Sequence, residues 1–302
     1  MAGMQKILNN CFFLTIVVFS STCHQRSDGI DFMEIEMLRP DLLFDLTGFA
    51  HRTLFADQEP VWSALQNLSG YLADLDYHEG LLTEINNGVS LDEHLVIHDN
   101  RLIAGSRCAI TYGDTTRGGL IISKDGAVLE GASLLMAGAI LLGEQISIGR
   151  ASLIEGGATI KSPTVIGDAT EVRQGAYLRG SCLIGDRCVV GHTTEVKHSI
   201  FLDDAKAGHF AYLGDSIIGR DANLGAGTKC ANLRFIPGTV MILIDGKLVD
   251  TGMRKFGAIL GDRAQTGCNS VTSPGTILGK KSVLMPNTTA ASGYHPDRTR
   301  IR

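Results

Sequence analysis

The sequence has no excess of positive charge. Its 302 residues include 27 lysines and arginines against 32 aspartates and glutamates, which gives a net charge of −5. Nucleic-acid-binding domains carry a basic surface that neutralises phosphates. We therefore expect no nucleic acid among the partners, and instead a small molecule or further copies of the chain.

Metal-binding cysteine spacing is also missing. The seven cysteines contain no Cys-x-x-Cys pair and no zinc spacing. We expect no metal site, and reduced thiols that suit a cytoplasmic protein. Cys182 and Cys188 stand at the small positions of a repeat described below, and we interpret them as packing residues.

The apolar run at residues 11–19, which follows Lys6, is too short for a comfortable membrane span, and we expect no membrane partner. The run has the outline of a signal peptide, which leaves export open beside the expected cytoplasmic location. In a second interpretation, translation starts at Met33 or Met37. Residues 1–32 are therefore either a signal-like or a mis-started segment.

What the sequence does contain is a repeat of six residues. Every sixth position from 148 to 196 is aliphatic, and the position four residues after each of the first eight is small. The aliphatic residues are Ile148, Ile154, Ile160, Ile166, Val172, Leu178, Ile184, Val190 and Val196; the small ones are Ser152, Ala158, Thr164, Thr170, Ala176, Cys182, Cys188 and Thr194. This period fits neither an α-helix nor an alternating strand. It is typical of a hexapeptide-repeat β-solenoid.

The repeat sets the predicted domain organisation. Residues 33–92 form a small N-terminal helical cap, in which a helix that starts near Asp57 and Pro60 covers one open end of the solenoid. Its predicted apolar face contains Val61, Leu65, Leu68, Leu72 and Leu75. Residues 93–290 form the β-helix, and residues 291–302 form a loose basic tail.

The hexad phase changes at three places. Val128, Leu134 and Ile140 set an early phase, and Phe201, Ala207, Leu213, Ile218 and Leu224 set a later one. Residues 229–258 break the repeat and contain Asp245-Gly246, a turn pair between apolar residues, so we predict an extruded hairpin there. Such irregularities are where a solenoid commonly places its functional site.

Polar residues cluster around the second phase change, at Lys197, His198, His209 and Tyr212. Histidine is the usual general base near neutral pH, although a single histidine on a β-helix surface is more often solvated or packed. The spacings of twelve and three residues place Lys197, His209 and Tyr212 on neighbouring coils. We expect His198 on the opposite side of its strand from Lys197.

The segments 206–215, 218–228, 231–233 and 248–262 resemble the acetyltransferase half of the bifunctional N-acetylglucosamine-1-phosphate uridyltransferase/glucosamine-1-phosphate acetyltransferases. They are most similar to archaeal-type sugar-phosphate nucleotidylyltransferase/acetyltransferases and short bacterial relatives. The resemblance covers residues 126–290. It implies a left-handed parallel β-helix and a homotrimer with sites between subunits. The other half is absent, since residues 1–125 contain no Gly-rich phosphate loop; this argues against nucleotidyl transfer.

The resemblance also implies roles for single residues. The catalytic base of its Ala-Gly-His-x-x-Tyr motif falls on His209. The contacts to the acceptor substrate fall on Arg173, Lys197, Tyr212, Asn223 and Asn232, and the contacts to acetyl-CoA fall on Ala226 and Cys268. The chain between Arg173 and Lys197 is one hexad longer than in the family, which puts Arg173 in doubt. A further family lysine has no unambiguous match among Lys247, Arg254 and Lys255.

The expected function is acetyl-CoA-dependent N-acetylation of an amino-sugar phosphate, such as glucosamine 1-phosphate, in the biosynthesis of UDP-N-acetylglucosamine. Two alternatives stay open. One is a non-catalytic relative that binds sugar nucleotides or serves assembly. The other is a zinc enzyme like the γ-carbonic anhydrases, in which His192, His198 and His209 converge between subunits.

Overall fold

A computed structural model describes residues 38–77, 82, 85, 87–244 and 246–302. The signal-like segment and Asp245 lie outside the described residues. The described chain forms a parallel β-helix with three flat faces and eight complete coils, so the predicted fold class is confirmed. Within these residues, no helix is long and apolar enough to cross a bilayer.

Each face of the β-helix is one sheet. The first face contains β1 (Leu95–His98), β2 (Arg101–Ala104), β6 (Ser133–Leu135), β9 (Leu153–Ile154), β12 (Glu171–Val172), β15 (Val189–His192), β18 (Lys206–His209), β21 (Asn223–Leu224), β26 (Gln265–Thr266), β29 (Val283–Leu284) and β32 (Arg300–Ile301). The second contains β7 (Ile140–Leu142), β10 (Thr159–Lys161), β13 (Tyr177–Leu178), β16 (Glu195–Lys197), β19 (Tyr212–Gly214), β22 (Lys229–Cys230), β27 (Val271–Thr272) and β30 (Thr289–Ala290). The third contains β8 (Ile146–Ile148), β11 (Thr164–Ile166), β14 (Cys182–Ile184), β17 (Ser199–Phe201), β20 (Ile217–Ile218), β25 (Ala258–Leu260), β28 (Thr276–Leu278) and β31 (Gly293–His295).

The remaining elements lie outside the solenoid. They are the helices α1 (Pro40–Leu43) and α2 (Ser63–Ala73), a small antiparallel sheet of β3 (Ala109–Thr111), β4 (Ile121–Lys124) and β5 (Ala127–Val128), and a hairpin of β23 (Met241–Ile244) and β24 (Lys247–Asp250). Single 3₁₀ turns occur at Arg52–Leu54, Gly105–Arg107 and Thr115–Arg117. We number coils from β6, and call the turns after the first, second and third faces the first, second and third corners.

The hexad aliphatic residues form the interior, as the sequence predicts. Eight of the nine are at most 1% exposed, and Ile148 is partly buried against them. Burying one such side chain is worth about 1.5–3 kcal/mol relative to leaving it in water. Stacked at every coil, these residues supply a continuous apolar column inside the solenoid.

The small residues do more than fill the corners. The Ser152 hydroxyl donates to the carbonyl of Gly167 (2.8 Å), and the Thr170 hydroxyl donates to Gly185 (2.8 Å). In the next coil, the Cys188 thiol donates to Leu202 (3.1 Å). Burial raises the pKa of Cys182 to about 12, and it also raises the pKa of Cys188. The packing role of these thiols is confirmed, with a hydrogen bond added.

Irregular coil lengths fall at the second corner. Partner residues on the third face are 18 positions apart at Thr164 and Cys182, but 17 apart at Cys182 and Ser199. The next coil is shortened in the same way, and the coil after it carries the insertion that contains β23 and β24. The later hexad phase and the hairpin are therefore confirmed.

The early hexad phase was wrong by one residue. Leu135 and Leu141 point into the solenoid, whereas Leu134 packs outside against the small sheet and Val128 is 52% exposed. Apolar residues stand at neighbouring positions here because both sides of β6 are covered. The sequence period alone therefore cannot tell the inner residue from the outer one.

The predicted position of the helix was also wrong. Leu65, Leu68 and Leu72 are buried as expected, but they pack on the outer surface of the third face, together with Ile242 of the hairpin. The helix begins at Ser63 and not near Asp57. The first coil is covered instead by β1, which pairs antiparallel with β6. We call α2 and the β23–β24 hairpin the third-face cover.

The C-terminal segment is part of the solenoid and not a loose tail. β31 pairs with β28 on the third face, and β32 pairs with β29 on the first. Asp297 accepts a hydrogen bond from the backbone N–H of Lys280 at the third corner (2.8 Å). Few aliphatic residues mark this last coil, which explains why the hexad pattern did not reveal it.

Candidate functional site

One position of the first corner is repeated in every coil and forms a straight column. We call it the first-corner column; its members from coil 1 to coil 8 are Ala137, Gly156, Gln174, His192, His209, Ala226, Cys268 and Pro286. The N–H of Phe210 donates to the carbonyl of His192, and the N–H of Gly227 donates to that of His209 (both 2.9 Å). Three predicted site residues, His209, Ala226 and Cys268, therefore lie in one line.

The residue after each column member has a left-handed backbone. In most coils it is glycine or asparagine, but coils 4 and 5 carry Thr193 (φ 53°) and Phe210 (φ 52°). A β-branched or bulky residue in this conformation is strained by about 1–3 kcal/mol. Strained residues of this kind concentrate at functional sites. Here Thr193 directly follows His192, and Phe210 directly follows His209.

His192 lies directly under His209 in the preceding coil. Its Nδ1 is 2.8 Å from the carbonyl oxygen of Gln174. A carbonyl oxygen only accepts, so Nδ1 carries a proton and Nε2 is the ring nitrogen left outside this hydrogen bond. The Phe210 ring packs edge-to-face on His192 at 5.4 Å, and its centroid is 6.3 Å from that of His209.

A second group of polar residues lies at the second corner, around the buried carboxylate of Asp215. We call Lys197, His198, Tyr212, Asp215 and Asn232 the Asp215 cluster. Nδ1 of His198 donates to Oδ1 of Asp215 (3.0 Å), and Nζ of Lys197 donates to Oδ2 (3.5 Å). The side-chain amide of Asn232 donates to the same Oδ2. This carboxylate thus positions three side chains at once.

Gly214 makes room for this contact. A Cβ at this position would lie 2.5 Å from Nδ2 of Asn232 and 2.7 Å from the hydroxyl of Tyr212. Because the side chain is absent, Tyr212 reaches over the backbone and its hydroxyl donates to Oδ1 of Asn232 (3.4 Å). Tyr212 therefore joins the second face to the insertion that follows β22.

The charge of the Asp215 cluster is fixed by its contacts. Burial acts to raise the pKa of Asp215, but the hydrogen bonds from His198 and Asn232 and the charge on Lys197 outweigh it, and the pKa is lowered. Burial raises the pKa of Tyr212, with the nearby Glu195 and Asp215 carboxylates adding to the effect. Near neutral pH the cluster thus holds an ionised Asp215 and a protonated Tyr212.

Two features of this cluster differ from the sequence analysis. His198 does not face away from Lys197, because its backbone is left-handed (φ 46°) and the strand alternation ends there. Asp215 was not among the predicted site residues, although it closes the motif at residues 206–215. A signal for it exists in the sequence: the second shortened coil turns at this aspartate.

Arg173 does not join either group. Its Nε and Nη2 both donate to Oε2 of Glu171 (2.9 and 2.8 Å), and Oε1 of Glu171 accepts the N–H of Thr115 (3.0 Å). The guanidinium therefore braces the segment that carries the small outer sheet. Asn223 lies in the same coil as Ala226, exposed on the outer surface of the first face.

The structure separates the three histidines of the zinc alternative within one chain. His192 and His209 lie at the first corner, whereas His198 is bound to Asp215 at the second. Among the described residues, no group of three or more histidines, cysteines or carboxylates is close enough together to hold a metal ion.

Comparisons with known proteins match the repeat region. The model of the GMPPB C-terminal domain family matches residues 160–291. A bifunctional sugar-1-phosphate nucleotidylyltransferase/acetyltransferase of Sulfurisphaera tokodaii is 40% identical over 94 residues, which are 31% of this chain and 23% of that protein. The bifunctional protein GlmU of Methanococcus maripaludis is 44% identical over 96 residues, 32% of this chain and 23% of that protein.

Among solved structures, the acetyltransferase domain of PglB from Neisseria gonorrhoeae aligns at 14% identity with a TM-score of 0.21, covering 53% of this chain and 57% of that one. The matched segments span less than a quarter of the length of the curated bifunctional relatives. Over about a third of its own length, the chain is similar to the bifunctional sugar-1-phosphate nucleotidylyltransferase/acetyltransferases, as its histidine and asparagine motifs predict.

Proposed function

We propose that the protein is an acyltransferase that moves an acetyl group from acetyl-CoA to the amine of an amino-sugar phosphate, with glucosamine 1-phosphate as the first candidate. The observation that supports this most strongly is the first-corner column. It places an exposed histidine, His209, in line with the two small residues expected at acetyl-CoA, Ala226 and Cys268. Nucleotidyl transfer is not part of the proposal.

His209 serves as the general base. The neutral amine attacks the thioester carbonyl carbon, and the imidazole of His209 accepts a proton from the nitrogen. The carbon–sulfur bond then breaks, and the CoA thiolate leaves with the proton that His209 returns. The products are the N-acetyl sugar and free CoA. Exposure of His209 suits this role, since the base must contact a substrate that enters from solvent.

The Asp215 cluster binds the phosphate end of the acceptor. Lys197 is half-buried and its ammonium is held by Asp215, so its position is fixed before substrate arrives. Tyr212 lies between the two corners, on the face that the sugar ring would cover. In this arrangement Asn232 and Asp215 are positioning residues, whereas Lys197 supplies the positive charge that a phosphate needs.

We further propose that the protein is a homotrimer with its sites between subunits. The second face supports this, because it carries Lys197 and Tyr212, whereas the third-face cover packs on a different face. Analytical ultracentrifugation at micromolar concentration tests it. A trimer is expected, and a monomer under these conditions would contradict sites shared between subunits.

Two measurements on the purified full-length chain test the proposed reaction. The first follows CoA release and product mass with acetyl-CoA and glucosamine 1-phosphate. The second follows the thermal shift with acetyl-CoA and with each sugar phosphate. Release of CoA that depends on the amino sugar supports the proposal. Stabilisation by both ligands without any turnover would favour the non-catalytic alternative, and turnover with other acyl-CoAs would correct the donor.

A further inference from the structure

The first-corner column continues past His209 towards the N-terminus and ends in an open pocket. The pocket encloses about 620 Å³ and is bounded by Tyr112, Met136, Leu153, Glu155 and Gln174. Its floor is formed by the small column members of coils 1 and 2. The column therefore has small residues on both sides of His192 and His209. Ala226 and Cys268 lie towards the C-terminus, and the floor of this pocket lies towards the N-terminus.

Tyr112 reaches this corner because a segment leaves the solenoid. The outer sheet of β3 to β5 packs on the first face through Leu120 and Ile122, and Tyr112 follows directly after β3. The N–H of Thr115 is anchored to Glu171 of coil 3. Tyr112 is nevertheless 53% exposed, so its ring is presented to solvent by a well-anchored segment.

The lining of the pocket is neutral to acidic. It combines one aromatic ring, three apolar side chains, the carboxylate of Glu155 and the amide of Gln174, and none of the described residues that line it is a lysine or an arginine. The nearby guanidinium of Arg173 is occupied by Glu171. A phosphate would find no cation here, whereas a neutral ring with hydroxyl groups would find an apolar platform and hydrogen-bond acceptors.

The distance from the pocket to His209 is longer than one sugar. Gly156, Gln174, His192 and His209 are successive column members, and each step is about 4.8 Å, so the pocket floor lies about 14 Å from the base. Between them lie the rings of His192 and Phe210. An acceptor that filled this path would carry a second ring beyond its amino sugar.

We propose that the first corner contains a second acceptor subsite, formed by Tyr112, Glu155 and Gln174, which binds a neutral sugar ring linked glycosidically to the amino sugar at His209. The inference rests on the proposed function for the orientation of the amine. The occupancy of the pocket does not depend on it. A saccharide fits better than a nucleoside diphosphate, since none of the described residues that line the pocket is a lysine or an arginine, and the nearby Arg173 is held by Glu171.

The test measures binding by calorimetry, which needs no turnover. The probes are the disaccharide N-acetylglucosaminyl-β-1,4-glucosamine, whose second ring is neutral, glucosamine, and UDP-glucosamine. We expect the disaccharide to bind at least tenfold more tightly than glucosamine. Tyr112→Ala should remove this advantage, and Glu155→Gln should reduce it several-fold. Tyr177→Ala, which removes a tyrosine of the second face, is the matched control and should leave the disaccharide affinity unchanged.

Equal affinity for disaccharide and glucosamine would overturn the inference, as would an advantage that survives Tyr112→Ala. An advantage of UDP-glucosamine that Tyr112→Ala abolishes, without one for the disaccharide, would overturn the saccharide assignment. If acetyl transfer fails while disaccharide binding depends on Tyr112, the proposed reaction is wrong and the subsite stands.

Discussion

The first and second corners of the β-helix use the same backbone turn for opposite purposes. At the first corner, His209 and Phe210 are exposed, and Phe210 adopts a strained left-handed conformation. At the second corner, Asp215 is 5% exposed and is satisfied by His198, Asn232 and Lys197. The turn at the first corner has the same number of residues in every coil, including the coils of His192 and His209. Both shortened turns and the insertion lie at the second corner.

Under the proposed function, this difference separates the group that exchanges a proton with the substrate from the groups that hold a charge in place. A side chain that exchanges protons with a substrate must remain accessible, and the regular column provides a straight groove for it. A charge that must be fixed needs burial and several partners, and the irregular corner provides these. Substitutions at the two corners should therefore affect different measured quantities.

The largest expected effect is on catalysis at the first corner. His209→Ala should lower kcat by about 10²–10⁴-fold, the usual worth of a positioned base. Because His209 is exposed, the free energy of unfolding should change by less than about 0.5 kcal/mol. Steady-state kinetics and urea unfolding measure the two quantities, and the loss of kcat should shrink at high pH, where hydroxide can accept the proton in place of His209.

His98→Ala is the control for His209, because it removes a histidine of β1, which pairs with coil 1, whereas His209 lies in coil 5. It should leave kcat unchanged. Full activity of His209→Ala would show that the family-derived base is misassigned and that the exposed column has another role.

The next effect is on stability at the second corner. Asp215→Ala leaves His198, Asn232 and Lys197 without their shared acceptor, and unsatisfied buried groups cost about 1–3 kcal/mol. Urea unfolding should show this loss. Asp221→Asn is the matched control, since its 3.5 Å contact with Arg263 is a surface ion pair worth about 0–1 kcal/mol.

The pH dependence sharpens this prediction. The pKa of Asp215 is lowered by folding, so its contribution to stability is present above the unfolded value of about 3.9 and is lost as the pH falls through the folded value. The fall of Tm between about pH 5 and pH 3 should therefore be steeper in the wild type than in Asp215→Asn. Parallel curves would show that Asp215 does not carry the expected charge.

A smaller effect is expected on substrate affinity. Lys197→Ala should raise KM for the phosphorylated amino sugar by about tenfold, the worth of one charged hydrogen bond, and should leave kcat nearly unchanged. Lys161 occupies the same position two coils earlier, where its ammonium lies 5.2 Å from the centre of the Tyr177 ring. Lys161→Ala is therefore the control, and an equal rise of KM in both variants would contradict a specific phosphate site.

The smallest effect is expected away from both corners. Cys188→Ser should change the free energy of unfolding by less than about 1 kcal/mol, because a hydroxyl can make the bond that the thiol makes to Leu202. At the same position of earlier coils, the hydroxyls of Ser152 and Thr170 make the equivalent bonds to the carbonyls of Gly167 and Gly185. A large loss on thermal unfolding would show that the size of sulfur, and not its hydrogen bond, matters there.

The sequence correctly predicted the inward-facing residues of those coils in which the hexad phase is regular. The inward positions from Ile154 to Val196 were identified because the hexad phase stays constant over these coils, even though neighbours such as Leu153 and Val165 are also aliphatic and buried on the outside. Leu134 and Leu135 could not be distinguished, since both are buried, one by the outer sheet and one by the solenoid. The cover on the third face was placed wrongly because an amphipathic helix does not specify which apolar surface it meets.

The site followed the same division. His209 and Lys197 are predicted site residues from a motif, but their separation onto two corners depends on backbone conformation. His198 and Asp215 both adopt positive φ, and although both residue types are enriched in this conformation, the hexad pattern does not show which residues adopt it. Arg173 was misplaced because its partner, Glu171, is two residues away and is anchored to a segment that the hexad pattern does not describe.

The third-face cover changes how the repeats depend on one another. In an ordinary solenoid each repeat contacts its neighbours, so repeats can melt or be deleted one at a time. Here Gln66 of α2 donates to the carbonyl of Thr251 beside the hairpin, and Trp62 packs against Phe256. One apolar cluster runs from Val165 of coil 2 to Ile277 of coil 7. Early and late coils are therefore coupled through residues far apart in sequence. We expect the array to unfold as a single cooperative unit, in which the number of coils cannot change without breaking the cover.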